Sequence, residues 1–217
     1  MKRVSESEAF CYYIRMTSIP CDIVMIPDTD VINNAIALSE QLSKNETYFT
    51  LKEGEYYPHA SLYMLQFDMN RIDEIKERLA NVAKNSSGIT LNPKEYHQEW
   101  GYLDVEYGRE PNSDKLQMDV VNALNPIRDG LRQKDIDRLS EAVGLEKENI
   151  LTYGYRSIGE KFAPHITITR FADRKDIDLT TLPEVSTFKA TFSKIGIFEM
   201  GENGTCVRKI AEFNLGQ

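Results

Sequence analysis

Two short stretches constrain this chain more than anything else in it: YPHASLY at 57–63 and APHITIT at 163–169. Each carries Pro, then His, then a hydroxyl residue two places on, with apolar residues interleaved. Alternation of this kind belongs to a strand with one face on a core and the other in a polar environment. Strand parity puts His59, Ser61 and Tyr63 on one face, with Ala60, Leu62 and Met64 on the other. It likewise groups His165, Thr167 and Thr169 against Ile166 and Ile168. The chain has three histidines, so two of the three stand in matching frames. Two such strands side by side would line a groove with two imidazoles and at least two hydroxyls.

The rest of the chain supplies elements to either side of these strands. DIVMI at 22–26 predicts a strand that ends at Pro27, and DTD at 28–30 offers N-cap chemistry for a helix over 30–43. The first motif opens a strand over 59–67. Ile72, Ile75, Leu79 and Val82 recur at helical spacing and predict a helix over 71–84, stopped by SSG at 86–88. Strands are expected at 89–96 and 100–107. A long helix follows over 113–131, interrupted before Pro126, then a short charged helical excursion over 132–150 on the surface. The second motif opens a strand over 165–171. The tail, 185–215, reads as two strands around MGENG, a hairpin turn. Mixed helices and strands without a strict βαβ rhythm predict an α+β fold with antiparallel sheet. The two His strands suggest two related lobes within a single domain spanning 1–217, with 108–114 as the joint between lobes.

Two imidazoles and two hydroxyls in one groove suit a phosphodiester. Histidine titrates near neutrality, so one ring can accept a proton while the other donates one. The hydroxyls of Ser61 and Thr167 can donate to non-bridging phosphate oxygens, and an imidazolium adds charge-assisted bonding. An in-line displacement then needs no metal. One His-x-Ser alone would carry no weight, because a strand histidine is usually a polar residue satisfied by a backbone carbonyl. Two copies, each preceded by Pro and each opening an amphipathic strand, favour the functional reading. His97 is followed by Gln98 and Glu99 and lacks the hydroxyl, so it reads as a strand-end residue.

Further candidates flank the motifs. Tyr63 shares the face of His59 by parity. Tyr56, Tyr57, Tyr155 and Phe162 precede the motif strands, where aromatics could rim the groove and stack on a base. Lys161 and Arg156 read as solvated surface charges. No HExxH, P-loop, GxGxxG or GxSxG run is present, so no metal and no cofactor is expected. The net charge of −8 argues against binding of long duplex nucleic acid but not against a small nucleotide or an RNA end in a local cationic pocket. The three cysteines, Cys11, Cys21 and Cys206, lack CxxC spacing and read as packed or surface thiols of a reducing, cytoplasmic compartment. The N-terminus shows no secretory h-region and no apolar run is long enough to span a membrane. The sequence carries no signature of oligomeric state.

At these residues the chain resembles the 2H phosphoesterase superfamily, which includes 2′-5′ RNA ligase-like proteins and cyclic nucleotide phosphodiesterases. The family hallmark is a pair of H-x-T/S-Φ motifs, here HASL at 59–62 and HITI at 165–168. FAPHITITRF at 162–171 is the closer match, with Arg170 at the family's arginine position, although strand parity puts Arg170 on the face opposite His165. The charged piece at 132–152 is an addition to the compact pattern. The resemblance implies two pseudo-symmetric α+β lobes whose antiparallel sheets line a central groove, with helices outside. It implies His59 and His165 as catalytic acid and base, Ser61 and Thr167 as phosphate ligands, and Tyr63, Arg170, Phe162 and Tyr57 as substrate-contacting candidates. The expected bond is a 2′,3′-cyclic phosphate or 2′-5′ phosphodiester in a nucleotide or short RNA. A binding protein that uses the same groove without turnover is the competing reading.

Overall fold

The computed structural model describes residues 17–174 and 176–217. The expectations for Cys11 and for the N-terminal segment lie outside the described residues. Two four-stranded sheets dominate. The first has the order β10-β9-β1-β3, with β1 at Ser18–Ile26, β3 at Ala60–Asp68, β9 at Lys194–Met200 and β10 at Cys206–Asn214. The second has the order β2-β7-β6-β5, with β2 at Thr47–Thr50, β5 at Pro93–Glu99, β6 at Tyr102–Tyr107 and β7 at His165–Phe171. A short pair, β4 at Ile89–Leu91 and β8 at Ala190–Phe192, stands apart from both. Every pairing is antiparallel. One continuous apolar core joins the two sheets, running from Ile23 and Leu62 on one side to Ile166 and Ile168 on the other. The fold is therefore α+β, as the mixed pattern predicts.

Helices cover the sheets. Helix α1, Thr29–Leu42, is capped by Asp28, whose carboxylate accepts from the Val31 N–H at 3.2 Å. It buries Val31, Ala35, Leu38 and Leu42 and packs behind β7. Helix α2, Ile72–Lys84, buries Ile75, Leu79 and Val82, the positions its periodicity selects. It packs on α3, Pro111–Leu124, which begins with a capping box between Glu110 and Ser113. The long helix predicted over 113–131 ends early: Pro126 cannot continue the α-helical hydrogen-bond ladder, and the chain passes into a short 3-10 turn at Asn125–Ile127. The charged excursion forms two short helices, α4 at Gln133–Arg138 and α5 at Gly144–Tyr153. The strand expected at 89–96 divides into β4 and β5, which pair with different partners. Among the described residues no helix is long and apolar enough to cross a membrane.

The two His strands share a defect at the same place. On β3, Ser61 and Tyr63 face the adjacent residues Val24 and Ile23 of β1, so Leu62 is an extra residue. On β7, Thr167 and Thr169 face the adjacent residues Asp104 and Leu103 of β6, so Ile168 is extra. Each bulge lies three residues after its histidine. A bulge inserts one residue without a partner and so inverts the side-chain alternation that follows.

Candidate active site

The local chain explains why Pro precedes each histidine. The Nδ1–H of His59 donates to the carbonyl of Tyr57 at 2.7 Å, and that of His165 to the carbonyl of Ala163 at 2.8 Å. In both cases the acceptor is two residues back, across Pro58 or Pro164. Proline fixes its own φ and holds the preceding residue extended, so the carbonyl is pinned where the ring can reach it. A carbonyl oxygen can only accept, so Nδ1 carries the proton in both rings and Nε2 is the free nitrogen. Both histidines line one groove of about 1320 Å³, together with Ser61 and Thr167. The structure thus brings together the four residues that the paired motifs single out.

Their surroundings differ. The side chain of His59 is 10% exposed and its Nε2 lies 3.6 Å from Oδ2 of Asp22, which is fully buried. Burial first, with the charge of nearby His165 in the same direction, brings His59 down to about 4 against the opposing bond to Tyr57. Burial pushes the Asp22 carboxyl up to about 7, against the opposing pull of its bond to Ser61 and of the charges on Arg132 and His165. Oγ of Ser61 stands 2.6 Å from Oδ2 of Asp22. Asp22 is the buried carboxyl beside both His59 and Ser61 that sequence reading passes over. Its one signal is a carboxylate heading the apolar run DIVMI, since an acid in a core strand is rare.

The bulges decide the remaining candidates. Tyr63 does not share the groove face with His59: after the Leu62 bulge its side chain turns into the core, and its hydroxyl donates to the Tyr153 carbonyl at 2.5 Å. Thr169 turns in likewise and donates to the Phe49 carbonyl at 2.9 Å. The same inversion brings Arg170 out into the groove, contrary to simple parity. Its guanidinium lies 5.2 Å from the ring centre of Tyr48 and 4.6 Å from that of Tyr102, and Nη1 donates to Oδ1 of Asn203 at 2.5 Å. Asn203 belongs to the β9–β10 turn, so the tip of the first sheet reaches the second there. Phe162 is a core residue, not a rim residue. The ring of Tyr57 packs against Phe198, and it serves His59 through its carbonyl. Tyr155 and Arg156 line the groove. His97 does too, with Nδ1 3.5 Å from Oε1 of Glu106.

Sequence reading also missed Trp100, the sole tryptophan. It sits on the groove at the β5–β6 turn with φ +54° and is 66% exposed. Gly101 beside it has φ +83°, and a Cβ there would come within 2.6 Å of the Phe171 carbonyl, so the turn is tied to the end of β7. Buried polar atoms without a protein partner include Oδ1 of Asp22, Asp104 and Asp135, Nη2 of Arg132, Nε of Arg170 and Oγ of Ser18. Groups of that kind are met by water, an ion or a ligand, or take part in chemistry.

One metal-capable set exists among the described residues. Donor atoms of Asp22, His59 and Cys206 lie within 4.8 Å of one another. His165 is not part of it. Burial raises both Cys21, to about 12, and Cys206, so these thiols are packed and protonated.

Similarity to known structures agrees with this geometry. No protein-family model and no curated protein matches the sequence. Among solved structures, E. coli LigT complexed with phosphate superposes with a TM-score of 0.54 at 10% identity, covering 93% of this chain and 99% of that one. TT0787 of Thermus thermophilus gives 0.56 at 13% identity, covering 91% and 98%. A structure described as a phosphoesterase gives 0.55 at 10% identity, covering 92% and 99%. The chain shares the fold of these structures. At such low identity the likeness concerns the fold, and within it the two bulged Pro-His strands are the features that this chain supplies from its own sequence.

Proposed function

We propose that residues 1–217 act as one bilobal, metal-independent 2H-type phosphodiesterase. Its substrate is a 2′,3′-cyclic phosphate or 2′-5′ phosphodiester in a nucleotide or short RNA. The observation that carries this reading is the matched presentation of two Nε2 atoms to one groove, each held by a carbonyl across a proline. Solved structures of E. coli LigT complexed with phosphate, ATP and 3′-AMP support a nucleotide as the ligand.

His59 is the base, because burial keeps its ring neutral at pH 7. It takes a proton from water as the water oxygen bonds to phosphorus. The phosphate anion that sits beside it favours the imidazolium and raises its basicity as substrate binds. The P–O bond to the leaving ribose oxygen breaks on the opposite side, and that oxygen receives a proton from His165. Ser61 and Thr167 donate to the non-bridging oxygens. Ser61 is available to do so when Asp22 is protonated. The carboxyl then donates to Oγ and leaves the hydroxyl proton for phosphate. Run in reverse, the same transfers join the bond.

The test is turnover of 2′,3′-cyclic nucleotides, a 2′-5′ dinucleotide and its 3′-5′ isomer in EDTA, with His165→Ala alongside. Hydrolysis of one class that vanishes in the variant is the expected result. Activity lost to EDTA and restored by zinc would replace the metal-independent reading with one centred on Asp22, His59 and Cys206. Binding of the panel without turnover would make the protein a nucleotide-binding module.

A further inference from the structure

The two histidines and their hydroxyls account for one phosphate, yet the groove carries cations that this phosphate does not use. They come mainly from the charged excursion that sequence reading assigned to the solvated surface. Arg132, at the start of α4, and Lys134 and Arg138, on it, line the groove beside Arg156 and Arg170. Two carboxylates form ion pairs with three of these five. Asp135 pairs with Arg132 at 2.6 Å and with Arg138 at 3.7 Å, and Glu146 pairs with Arg156 at 3.3 Å across a solvent-exposed gap. Of the groove's other acids, Glu99, Asp104 and Glu106 stand on β5 and β6, where Glu106 faces His97, and Asp129 and Glu202 stand on the loops before α4 and between β9 and β10.

Three features separate this wall from an ordinary charged surface. Arg132 is 5% exposed, lies 5.4 Å from the ring centre of Tyr155 and has an Nη2 without a partner. Arg170 is clamped by two tyrosines with its Nε unpartnered. The strongest charges acting on the Lys134 ammonium, those of Arg138, Arg132, Arg170 and Arg156, are all positive; with local loss of water as the leading cause, they bring it down to about 8. Like charges held together at this cost in a protein of net charge −8 form a local anion site rather than a global field. The wall adjoins the catalytic end, because the charge of Arg132 acts on Asp22.

We propose that this wall is a second anion subsite, so that the substrate carries at least one phosphate besides the one that reacts. A mononucleotide with a further phosphate, or an oligonucleotide whose next linkage lies along the wall, meets that requirement, whereas a bare cyclic nucleoside monophosphate leaves the wall empty. Planar guanidiniums suit phosphate oxygens in bidentate pairs, and Lys134 adds a mobile point charge. The inference rests on the phosphoesterase reading above for what occupies the catalytic end.

The experiment is a binding comparison that does not need turnover. Adenosine 3′-monophosphate and adenosine 3′,5′-bisphosphate are titrated while Trp100 fluorescence is followed, with calorimetry in parallel. The wild type should bind the bisphosphate roughly tenfold or more tightly, as expected for charge-assisted contacts. Lys134→Ala with Arg138→Ala should erase that preference and leave monophosphate affinity within about twofold. The single Lys134→Ala variant should halve the preference on a logarithmic scale and covers the case in which the double variant does not fold. Equal affinity of wild type for the two ligands, a preference that survives the substitutions, or no binding of either ligand would overturn the subsite. If inorganic phosphate improves monophosphate binding as much as the linked phosphate does, the wall holds a free anion and the claim about the substrate falls. Failure of every turnover assay with the binding preference intact would defeat the phosphoesterase reading alone.

Discussion

The strands β3 and β7 carry the same motif, the same proline clamp and the same bulge, yet they set their histidines in opposite surroundings. On β3, His59 is nearly enclosed, kept neutral by burial and backed by the buried carboxyl of Asp22, which also engages Ser61. On β7, His165 lies in the more open part of the groove, and the residue that emerges after the bulge is Arg170, where β3 presents Met64. The backbone repeat sets the geometry of two imidazoles, and the side chains around them make the two ends unlike. In the mechanism proposed above, the enclosed end removes a proton, and the open, cationic end receives the leaving group and the remainder of the substrate.

The largest expected effect separates these roles. Either His59→Ala or His165→Ala should lower turnover of an unactivated phosphodiester by roughly 10²-fold or more. A substrate with a nitrophenolate leaving group needs no proton on departure. His165→Ala should recover most of its loss on that substrate, and His59→Ala should not. Equal recovery in both variants, or recovery in His59→Ala alone, would break the assignment.

A smaller effect tests the carboxyl behind β3. Asp22 stays protonated in the fold up to about 7, while in the unfolded chain it ionises in the usual carboxylate range. Between these values the folded state holds the extra proton, so stability falls as pH rises, and the cost is complete above about 7. His59, depressed to about 4, acts in the opposite sense: the unfolded chain takes up a proton below about 6.5 that the fold refuses, so stability falls toward acid. Asp22→Asn should therefore melt higher than the wild type at pH 8, by at most about 4 kcal/mol from this linkage, with the gain shrinking toward pH 4. In kinetics, wild-type KM should rise as pH passes 7, because ionised Asp22 then claims the Ser61 hydroxyl and repels the phosphate. In Asp22→Asn the amide donates to Ser61 at every pH, and that rise, roughly tenfold, should disappear. A parallel rise in both proteins would remove Asp22 from the site.

How far the sequence discloses this site follows from which rule each residue obeys. His59, Ser61, His165 and Thr167 precede the bulges, where period-two alternation holds, and they face the groove as read. Ile75, Leu79 and Val82 obey helical periodicity and pack where it sends them. Tyr63, Thr169 and Arg170 lie beyond the bulges, and nothing in HASLYM or HITITR marks the extra residue, so parity misplaces all three. Asp22 was hidden by its apolar neighbours. The α4 cations were hidden because a charged excursion reads as solvent-facing, and only tertiary structure shows that Arg132, Lys134 and Arg138 turn toward β7. Phe162 sits at a strand start where core packing and a groove rim are indistinguishable in one dimension.

The smallest effect concerns the rim on the β7 side. A bulky residue at positive φ is strained, and Trp100 combines that conformation with exposure on the groove, which burial in the core would not require. A base stacked on the indole would give that strain a use. Stacking on an exposed ring takes the low end of the usual range, about 1 kcal/mol per base, so Trp100→Ala should raise KM roughly fivefold at nearly constant kcat, and Trp100→Phe should restore most of it. Among the described residues the enclosed β3 side offers no comparable exposed ring, so the effect should appear with substrates that carry a base and vanish with a simple nitrophenyl phosphodiester. An equal change with both substrates would mean that Trp100 supports the β5–β6 turn and not the ligand, and the open side of the groove would then select its substrate by charge alone.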